Sequence, residues 1–253
     1  MDVDSGNESS PALDSQGQPN GQASLDEGSQ PETGAAPLLF QPGRASFFID
    51  GFNLYHGMDE VGDDRIKWVD LRSLCVSFLR DGDTLQDVYY FTALNTWNPV
   101  KRKRHVAYIT ALEATGVIVV KGSFDHKAKF CWEKGAGCRN RSEKKTDVGI
   151  AVTLISDGFE NQFDKAFLVS ADSDHVPLAE RFRRSLPTKK LLLVAPPNRL
   201  AQARELGQAI GSRPLQITPG RLREHQLEAE YRSAKGALLV ARPTAYGPHI
   251  PAE

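Results

Sequence analysis

The chain has 253 residues, of which 40% are hydrophobic and 25% charged, and its formal net charge at pH 7 is −1. These values fit one globular domain with tails, or two small domains. No apolar run reaches the roughly 20 residues needed to span a bilayer. The N-terminus lacks the features of a signal peptide, and three cysteines are too few for a disulfide framework. We therefore expect no membrane association and a reducing, cytoplasmic setting.

Charge is distributed unevenly along the chain. Residues 1–43 contain seven acids and no Lys or Arg, a net −7, and are rich in Gly, Ser, Pro and Gln. Such a segment buries too little apolar surface to offset its ordering entropy, so we predict a disordered acidic leader. Residues 99–145 carry twelve Lys or Arg against four acids, a net +8, which suggests a polyanionic partner. For residues 232–253 we predict a flexible tail.

Strand and helix patterns alternate between residues 44 and 231. The predicted strands are the apolar runs 46–50, 88–94, 117–120, 166–170, 191–195 and 215–217. The predicted helices are 69–79, 99–115, 146–156 with Thr146 as N-cap, 174–184, 200–210 and one from Gly220. This alternation predicts an α/β fold with a doubly wound, mostly parallel sheet and helices on both faces. In such sheets ligands bind beyond the carboxyl ends of the strands, where the strand order reverses.

Acidic residues follow the strands at this predicted edge. Asp50 ends the first strand, Asp172 and Asp174 follow the fourth, and Asp147 lies at the start of the helix from Thr146. Converging carboxylates repel one another unless a cation neutralises them, and Mg²⁺ or Mn²⁺ prefers such oxygen ligands. Each acid alone also fits a helix cap, a first helical turn or a strand-ending turn. Their joint placement favours a metal site for phosphodiester hydrolysis.

Three sequence blocks carry a family resemblance. Residues 48–54 (FIDGFNL), 145–151 (KTDVGIA) and 169–174 (VSADSD) resemble, in order and spacing, the signature blocks of the NYN domain. The match is to the LabA-like branch of that family, within the PIN-like nuclease superfamily, and covers about residues 45–230. The resemblance implies a PIN-like (Rossmann-like) fold and a metal-dependent ribonuclease.

The resemblance also implies roles for particular residues. The acids that match the catalytic and metal-binding site are Asp50, Asp147, Asp172 and Asp174. Asn53 matches the polar residue after the first acid, and Ser170 the hydroxyl before the fourth-strand acids, both on the substrate side. Ala171 stands where Gly is usual. His175 replaces a usual aromatic or apolar residue, and we interpret it as filling the same pocket.

The basic segment, residues 99–145, is the predicted RNA-binding surface. Its cations next to the predicted helices are Lys101, Arg102, Lys103, Arg104, Lys144 and Lys145. Cations supply affinity for phosphate, and the aromatic residues interspersed among them can stack on unpaired bases. A charge run is usually only a solvated face, but this one leads directly into Asp147. Single-stranded RNA is therefore the expected substrate, because its splayed bases can reach aromatic side chains.

Other sites and functions compete with this hypothesis. Zinc at Cys131 and Cys138 is disfavoured because the two are widely spaced and a fourth ligand is missing, so free thiols on a mobile hairpin are expected. The main alternative is a non-catalytic RNA-binding or protein-interaction module on the same fold. A haloacid-dehalogenase phosphohydrolase needs an acid where Phe52 stands, and dinucleotide binding needs a Gly-rich loop after the first strand. Protein partners and a homo-oligomeric state are left open.

Overall fold

The computed structural model describes residues 42–94, 97–125, 129–131, 136–138 and 142–248, so the predicted leader lies outside the described residues except for its last two positions. The strands are β1 (Arg44–Asp50), β2 (Thr84–Thr92), β3 (Ile118–Lys121), β4 (Ser123–Asp125), β5 (Lys129–Cys131), β6 (Ala136–Cys138), β7 (Ser142–Lys144), β8 (Lys165–Val169), β9 (Lys190–Ala195), β10 (Leu215–Gln216), β11 (Glu230–Arg232) and β12 (Leu238–Ala241). The α-helices are α1 (Gly51–Val61), α2 (Leu71–Val76), α3 (Pro99–Ala114), α4 (Thr146–Phe159), α5 (Val176–Ser185), α6 (Arg204–Ile210) and α7 (Pro219–Glu224). Short 3-10 helices cover Asp64–Trp68, Ser173–His175 and Thr244–Tyr246.

The central sheet has six strands in the order β10-β9-β8-β1-β2-β3. Every neighbouring pair in it is parallel. From β1 the chain builds outward through β2 to β3 on one side, and later from β8 through β9 to β10 on the other. The strand order therefore reverses between β1 and β8, which is where an open α/β sheet offers a ligand crevice. The predicted α/β, doubly wound fold is confirmed.

Strand β1 is buried on both faces and divides the core into two layers. Phe47 and Ile49 belong to one apolar cluster, and Phe48 belongs to the other. Helices α1, α2 and α3 supply the first cluster, whereas α4, α5 and α6 supply the second. Alternate side chains of a strand point to opposite faces, so a continuous apolar run is what two covered faces require. Helices thus lie on both sides of the sheet, as predicted.

Helix α1 follows β1 directly and was not predicted. Its sequence contains Gly51 and Gly57, which lower intrinsic helix propensity. Both glycines are required by packing. A Cβ atom at Gly51 would lie 2.6 Å from the carbonyl oxygen of Phe91, and one at Gly57 would lie 2.8 Å from that of Pro197. The helix ends at Gly62 in the left-handed conformation, with a φ of 77°.

Residues 232–248, which belong to the segment for which we predict a flexible tail, include regular elements that pack on the core. Strands β11 and β12 pair antiparallel, and Val240 and Tyr246 are buried in the first apolar cluster. The guanidinium of Arg242 donates hydrogen bonds to the carbonyl oxygens of Arg65, Tyr246 and Gly247. The bond to Arg65 joins residues 177 positions apart, so composition alone does not reveal it.

The cysteines and the membrane prediction can be compared with the structure in part. Cys75 is a buried free thiol in the core. Strands β5 and β6 form an antiparallel pair, but the expectation for the thiols of Cys131 and Cys138 concerns side chains outside the described part of the structure. Among the described helices, none has both the length and the apolar character that crossing a membrane demands.

Candidate metal centre

Four elements meet at the carboxyl ends of the central strands. Strand β1 ends in Asp50, and its parallel neighbour β8 ends at the same edge of the sheet. Helix α4 places Asp147 in its first turn. The 3-10 helix Ser173–His175, which follows β8, ends in His175. The topology therefore brings together side chains from three separate parts of the sequence.

Asp50 is a buried carboxylate, with 4% of its surface exposed. Its Oδ1 accepts a hydrogen bond of 2.9 Å from the backbone N–H of Asn53, so it is the N-cap of α1. Its Oδ2 accepts a hydrogen bond of 3.0 Å from the hydroxyl of Ser170. Burying a carboxylate is costly unless such donors satisfy it. Asp50 is consequently held in a single orientation by two neighbouring elements.

Asn53 and Ser170, for which contact with substrate is predicted, make hydrogen bonds within the protein. The hydroxyl of Ser170 is buried, donates to Asp50 and accepts from the backbone N–H of Asp172 at 3.1 Å. The side-chain oxygen of Asn53 accepts from the backbone N–H of Ala171 at 3.0 Å. These bonds fix the loop after β8 against the start of α1. Both residues therefore position the acids.

His175 lies between two of the acids. Its ring is 1% exposed, and its Nε2 is 3.7 Å from Oδ2 of Asp50 and 3.9 Å from Oδ1 of Asp147. These distances exceed a hydrogen bond, and Nε2 has no hydrogen-bond partner among the described residues. The three side chains each offer one ligand atom, and all these atoms lie within 4.8 Å of one another. Sequence reasoning assigned His175 a pocket-filling role and missed its place in this cluster.

The pKa values in the cluster reflect crowded negative charge. Burial of the imidazole lowers the pKa of His175, but the carboxylates of Asp50, Asp147 and Asp172 outweigh that effect and the pKa is raised. Partial burial raises the pKa of Asp147; His175 opposes this shift, whereas Asp50, Asp172 and Asp174 add to it. The site stabilises the protonated form of His175 and destabilises the ionised form of Asp147. Such a site attracts a cation.

The remaining predicted acids lie beside the cluster. Oδ1 of Asp172 accepts a hydrogen bond of 3.0 Å from the backbone N–H of Asp174 and caps the 3-10 helix. A helix cap was the alternative role that the sequence offered for this acid. Asp174 is exposed. Both act on Asp147 through their charge. The three-residue cluster thus contains two of the four predicted acids, together with His175.

The start of α4 differs from the prediction. The N-cap is Lys145, in the left-handed conformation with a φ of 78°, and no side chain of the described residues caps the helix there. Thr146 is the first helical residue and not the cap. Lys145 is exposed, while the side chain of Lys144 lies outside the described part of the structure. Asp147 therefore has no N-capping hydrogen bond to explain its presence.

The basic run at the start of α3 divides into two pairs. Lys101 and Arg104 line a cavity of about 480 Å³ between α1 and α3, whereas Arg102 and Lys103 are exposed outside its lining. The guanidinium of Arg104 lies 6.0 Å from the ring centroid of Tyr246. Two of the four predicted cations thus face a defined space next to the sheet edge.

A parallel α/β sheet with clustered acidic side chains at its switch point places groups that could hold a cation beside the expected ligand crevice. The family model described as "NYN domain" matches residues 44–209, so the chain belongs to the NYN domain family, whose members are PIN-like and generally nucleases. A crystal structure of a protein of unknown function from Vibrio parahaemolyticus is similar at 19% identity, covering 70% of this chain and 93% of that one, with a TM-score of 0.43. No curated protein matches the chain.

The raised pKa of His175 predicts how metal-free stability depends on pH. An imidazole with a folded pKa above its unfolded value of about 6.5 stabilises the protein fully below that pH, and this stabilisation is lost as pH rises through the folded pKa. In EDTA, the free energy of unfolding of the parent relative to His175→Phe should fall as pH is raised above about 6.5, with a slope of at most about 1.4 kcal/mol per pH unit. Denaturant titrations at several pH values measure it. A difference independent of pH would contradict the assigned environment.

A second prediction concerns Asp147. Because its charge is crowded and it makes no capping bond, Asp147→Asn should leave the metal-free protein as stable as the parent or more so. The same variant should gain less melting temperature than the parent when Mn²⁺ is added, since stabilisation follows the affinity for the ion. Glu180→Gln, which removes an exposed carboxylate on α5, is the control and should respond like the parent. Equal metal-induced shifts in all three proteins would remove Asp147 from the centre.

Proposed function

We infer that residues 44–209 form a ribonuclease domain that hydrolyses phosphodiester bonds with a divalent metal ion. The observation that carries this inference is the cluster of Asp50, Asp147 and His175 at the switch point. Its imidazole nitrogen is buried, unpaired among the described residues and directed at two carboxylates. Membership of the NYN family supports the nuclease class. The three sequence blocks further support placement in its LabA-like branch.

The donor set fits a divalent cation. Two carboxylate oxygens suit Mg²⁺ or Mn²⁺, and an imidazole nitrogen is accepted more readily by Mn²⁺, which lies among the transition metals. We therefore favour Mn²⁺ over Mg²⁺. Such an ion, when bound, supplies an activated water and stabilises charge on the phosphate. Asp50 and Asp147 would hold it, and His175 would complete the set from a position that excludes bulk water.

The other acids have supporting roles in this proposal. Asp172 and Asp174 stand close enough to affect the charge state of Asp147, so they strengthen the field on a cation and remain candidate ligands or water-orienting groups. Ser170 and Asn53 hold the loop that carries them. This arrangement is a layer of positioning hydrogen bonds around the ligands, which metal sites commonly need.

RNA is the proposed substrate because cations and aromatic residues lie on the other side of the strand end that carries Asp50, within reach of a chain bound at the acids. Lys101 to Lys103 are exposed on α3, and Lys145 immediately precedes α4. Single-stranded RNA offers both phosphates for these cations and unpaired bases for aromatic stacking. A non-catalytic RNA-binding module on the same fold is the alternative, and it differs only in lacking metal-dependent cleavage.

Cleavage should require both the ion and Asp50. Purified protein is incubated with labelled single-stranded RNA in Mn²⁺, in Mg²⁺ and in EDTA. We expect cleavage in Mn²⁺, none in EDTA, and a loss of at least about 100-fold in Asp50→Asn and Asp172→Asn, comparable to removal of a charge-stabilising group in other enzymes. Glu180→Gln should cut like the parent.

Each contrary outcome has a clear meaning. Undiminished cleavage in EDTA would reject the metal mechanism. RNA that is bound by the parent but remains intact with every metal would favour the non-catalytic module. Cleavage of single-stranded DNA at the rate of RNA would overturn the substrate assignment alone.

The basic run should contribute to RNA affinity through phosphate contacts. Replacing Lys101, Arg102, Lys103 and Arg104 with Ala should weaken binding and flatten the plot of log affinity against log salt by about 0.7 for each lost contact. Arg183→Ala with Arg184→Ala, which removes two exposed cations in the last turn of α5, is the control for loss of positive charge away from α3 and is compared for each charge removed. An unchanged slope in the fourfold variant would show that the run is only a solvated face.

A further inference from the structure

A cavity of about 480 Å³ lies between α1 and α3, and the metal cluster does not use it. Its lining is aromatic to an unusual degree. Tyr90, Tyr108 and Tyr246 are buried, while Tyr55 and Trp97 remain partly accessible. The volume falls within the roughly 300–1,000 Å³ of pockets that hold small organic ligands. Flat rings around a space of this size suit a flat aromatic ligand, because stacked or edge-to-face contacts then form on several sides.

The cavity begins next to the metal cluster. Gly51 lines it, and Asp50 is the preceding residue, so their Cα atoms are about 3.8 Å apart. The two sites lie on opposite sides of the end of β1. Helices α1 and α3 pack on the face of the first apolar cluster, whereas α4, which carries Asp147, packs on the other face. A chain that crosses the end of β1 can therefore contact both sites.

Inside the cavity, one buried cation is paired with two acids. The ammonium group of Lys67 forms salt bridges with Asp59 and with Asp64, and its nitrogen lies 5.3 Å from the ring centroid of Tyr55. Burial lowers the pKa of His105 to about 4, so this imidazole is neutral near pH 7. Among the described residues that line the cavity, the other cations are Arg104 and Lys101, and the charge of Lys101 also acts on the carboxylate of Asp59.

The position of Lys101 is unfavourable for the helix that carries it. The N-terminus of an α-helix is electropositive, and cations there destabilise it, as does mutual repulsion within a basic run. Helix α3 begins at Pro99, has no acid in its first turn, and carries Lys101 in that turn. An anion at this end would relieve the repulsion. A phosphate group beside an aromatic cavity meets both requirements.

We propose that this cavity binds one base of single-stranded RNA, stacked on Tyr55 or Trp97, with the adjoining phosphate held by Lys101 and Arg104. The proposal deepens the proposed function, since it takes RNA as the substrate of the neighbouring centre. A base held there anchors the strand next to the metal cluster. Because every base has an aromatic face, a site that binds mainly by stacking accepts any of the four bases.

The test measures binding in EDTA, so that cleavage does not enter. The ligands are a short labelled single-stranded RNA and a set of copies, each with one abasic residue at a different position. At one position the abasic copy should bind the parent about 5- to 100-fold more weakly than intact RNA, which corresponds to the loss of one stacked base. In the variant that removes the stacking ring, Tyr55→Leu or Trp97→Leu, intact RNA should bind as weakly as the abasic copy binds the parent protein. The abasic penalty, meaning the difference in affinity between intact and abasic RNA, should then disappear.

Matched variants separate stacking from folding and from charge. Tyr55→Phe and Trp97→Phe keep a ring and should retain most of the abasic penalty. Lys101→Ala with Arg104→Ala should weaken binding more than Arg102→Ala with Lys103→Ala, which removes the same charge outside the cavity lining. The second pair should lower the affinity for intact and abasic RNA by the same factor.

The outcomes distinguish this proposal from the proposed function. An abasic penalty that persists in both Leu variants, or the absence of a penalty at every position, overturns the cavity assignment even if the parent cuts RNA in Mn²⁺. If the abasic penalty is lost in a Leu variant but retained in the corresponding Phe variant, the cavity assignment is supported. If the parent protein in the same series never cuts RNA, the nuclease function is rejected.

Discussion

The buried carboxylate of Asp50 is the interaction on which the rest of the arrangement depends. It lies at the point where strand order reverses, and it is 4% exposed. A charge in that position needs donors, and it takes them from the start of α1 and from the loop after β8. Those two bonds fix the direction in which α1 leaves the sheet and the course of the loop. The candidate metal ligand Asp50 and the fold are therefore stabilised by the same contacts.

The parallel sheet was predictable from sequence because its strands are covered on both faces. Such strands must be nearly continuous apolar runs, and β1, β8 and β9 are runs of this kind. Helix α1 was not predictable in the same way. Its glycines reduce helix propensity, and the reason for them is close contact with the backbone at Pro197 and Phe91, which only the folded chain reveals. Tertiary packing here overrides local preference.

The candidate site shows the same division between local and long-range information. That Asp50, Asp147 and Asp172 would lie near one another followed from their places at the ends of strands and at a helix start. The role of His175 did not follow, because it depends on the 3-10 turn that Asp172 caps, which orients the ring between two acids. The C-terminal hairpin was missed for a comparable reason. It is held by Arg242, whose carbonyl partner Arg65 is 177 residues away.

Opposite charges on the two sides of one strand end suit a polyanionic substrate. An uncompensated acidic cluster would repel phosphate. Burial raises the pKa of Asp147 and the neighbouring carboxylates add to that shift, while the carboxylates around His175 raise its pKa against the effect of burial. The cations of α3 do not cancel it, because they lie on the other face, next to the aromatic cavity. Under the proposed function, α3 holds the neighbouring part of the strand while a bound ion neutralises the acids at the phosphate to be cut. Because of this separation, Lys101 and Arg104 do not form ion pairs with the acids. Such ion pairs would make the cations unavailable to RNA and the acids unavailable to a metal ion.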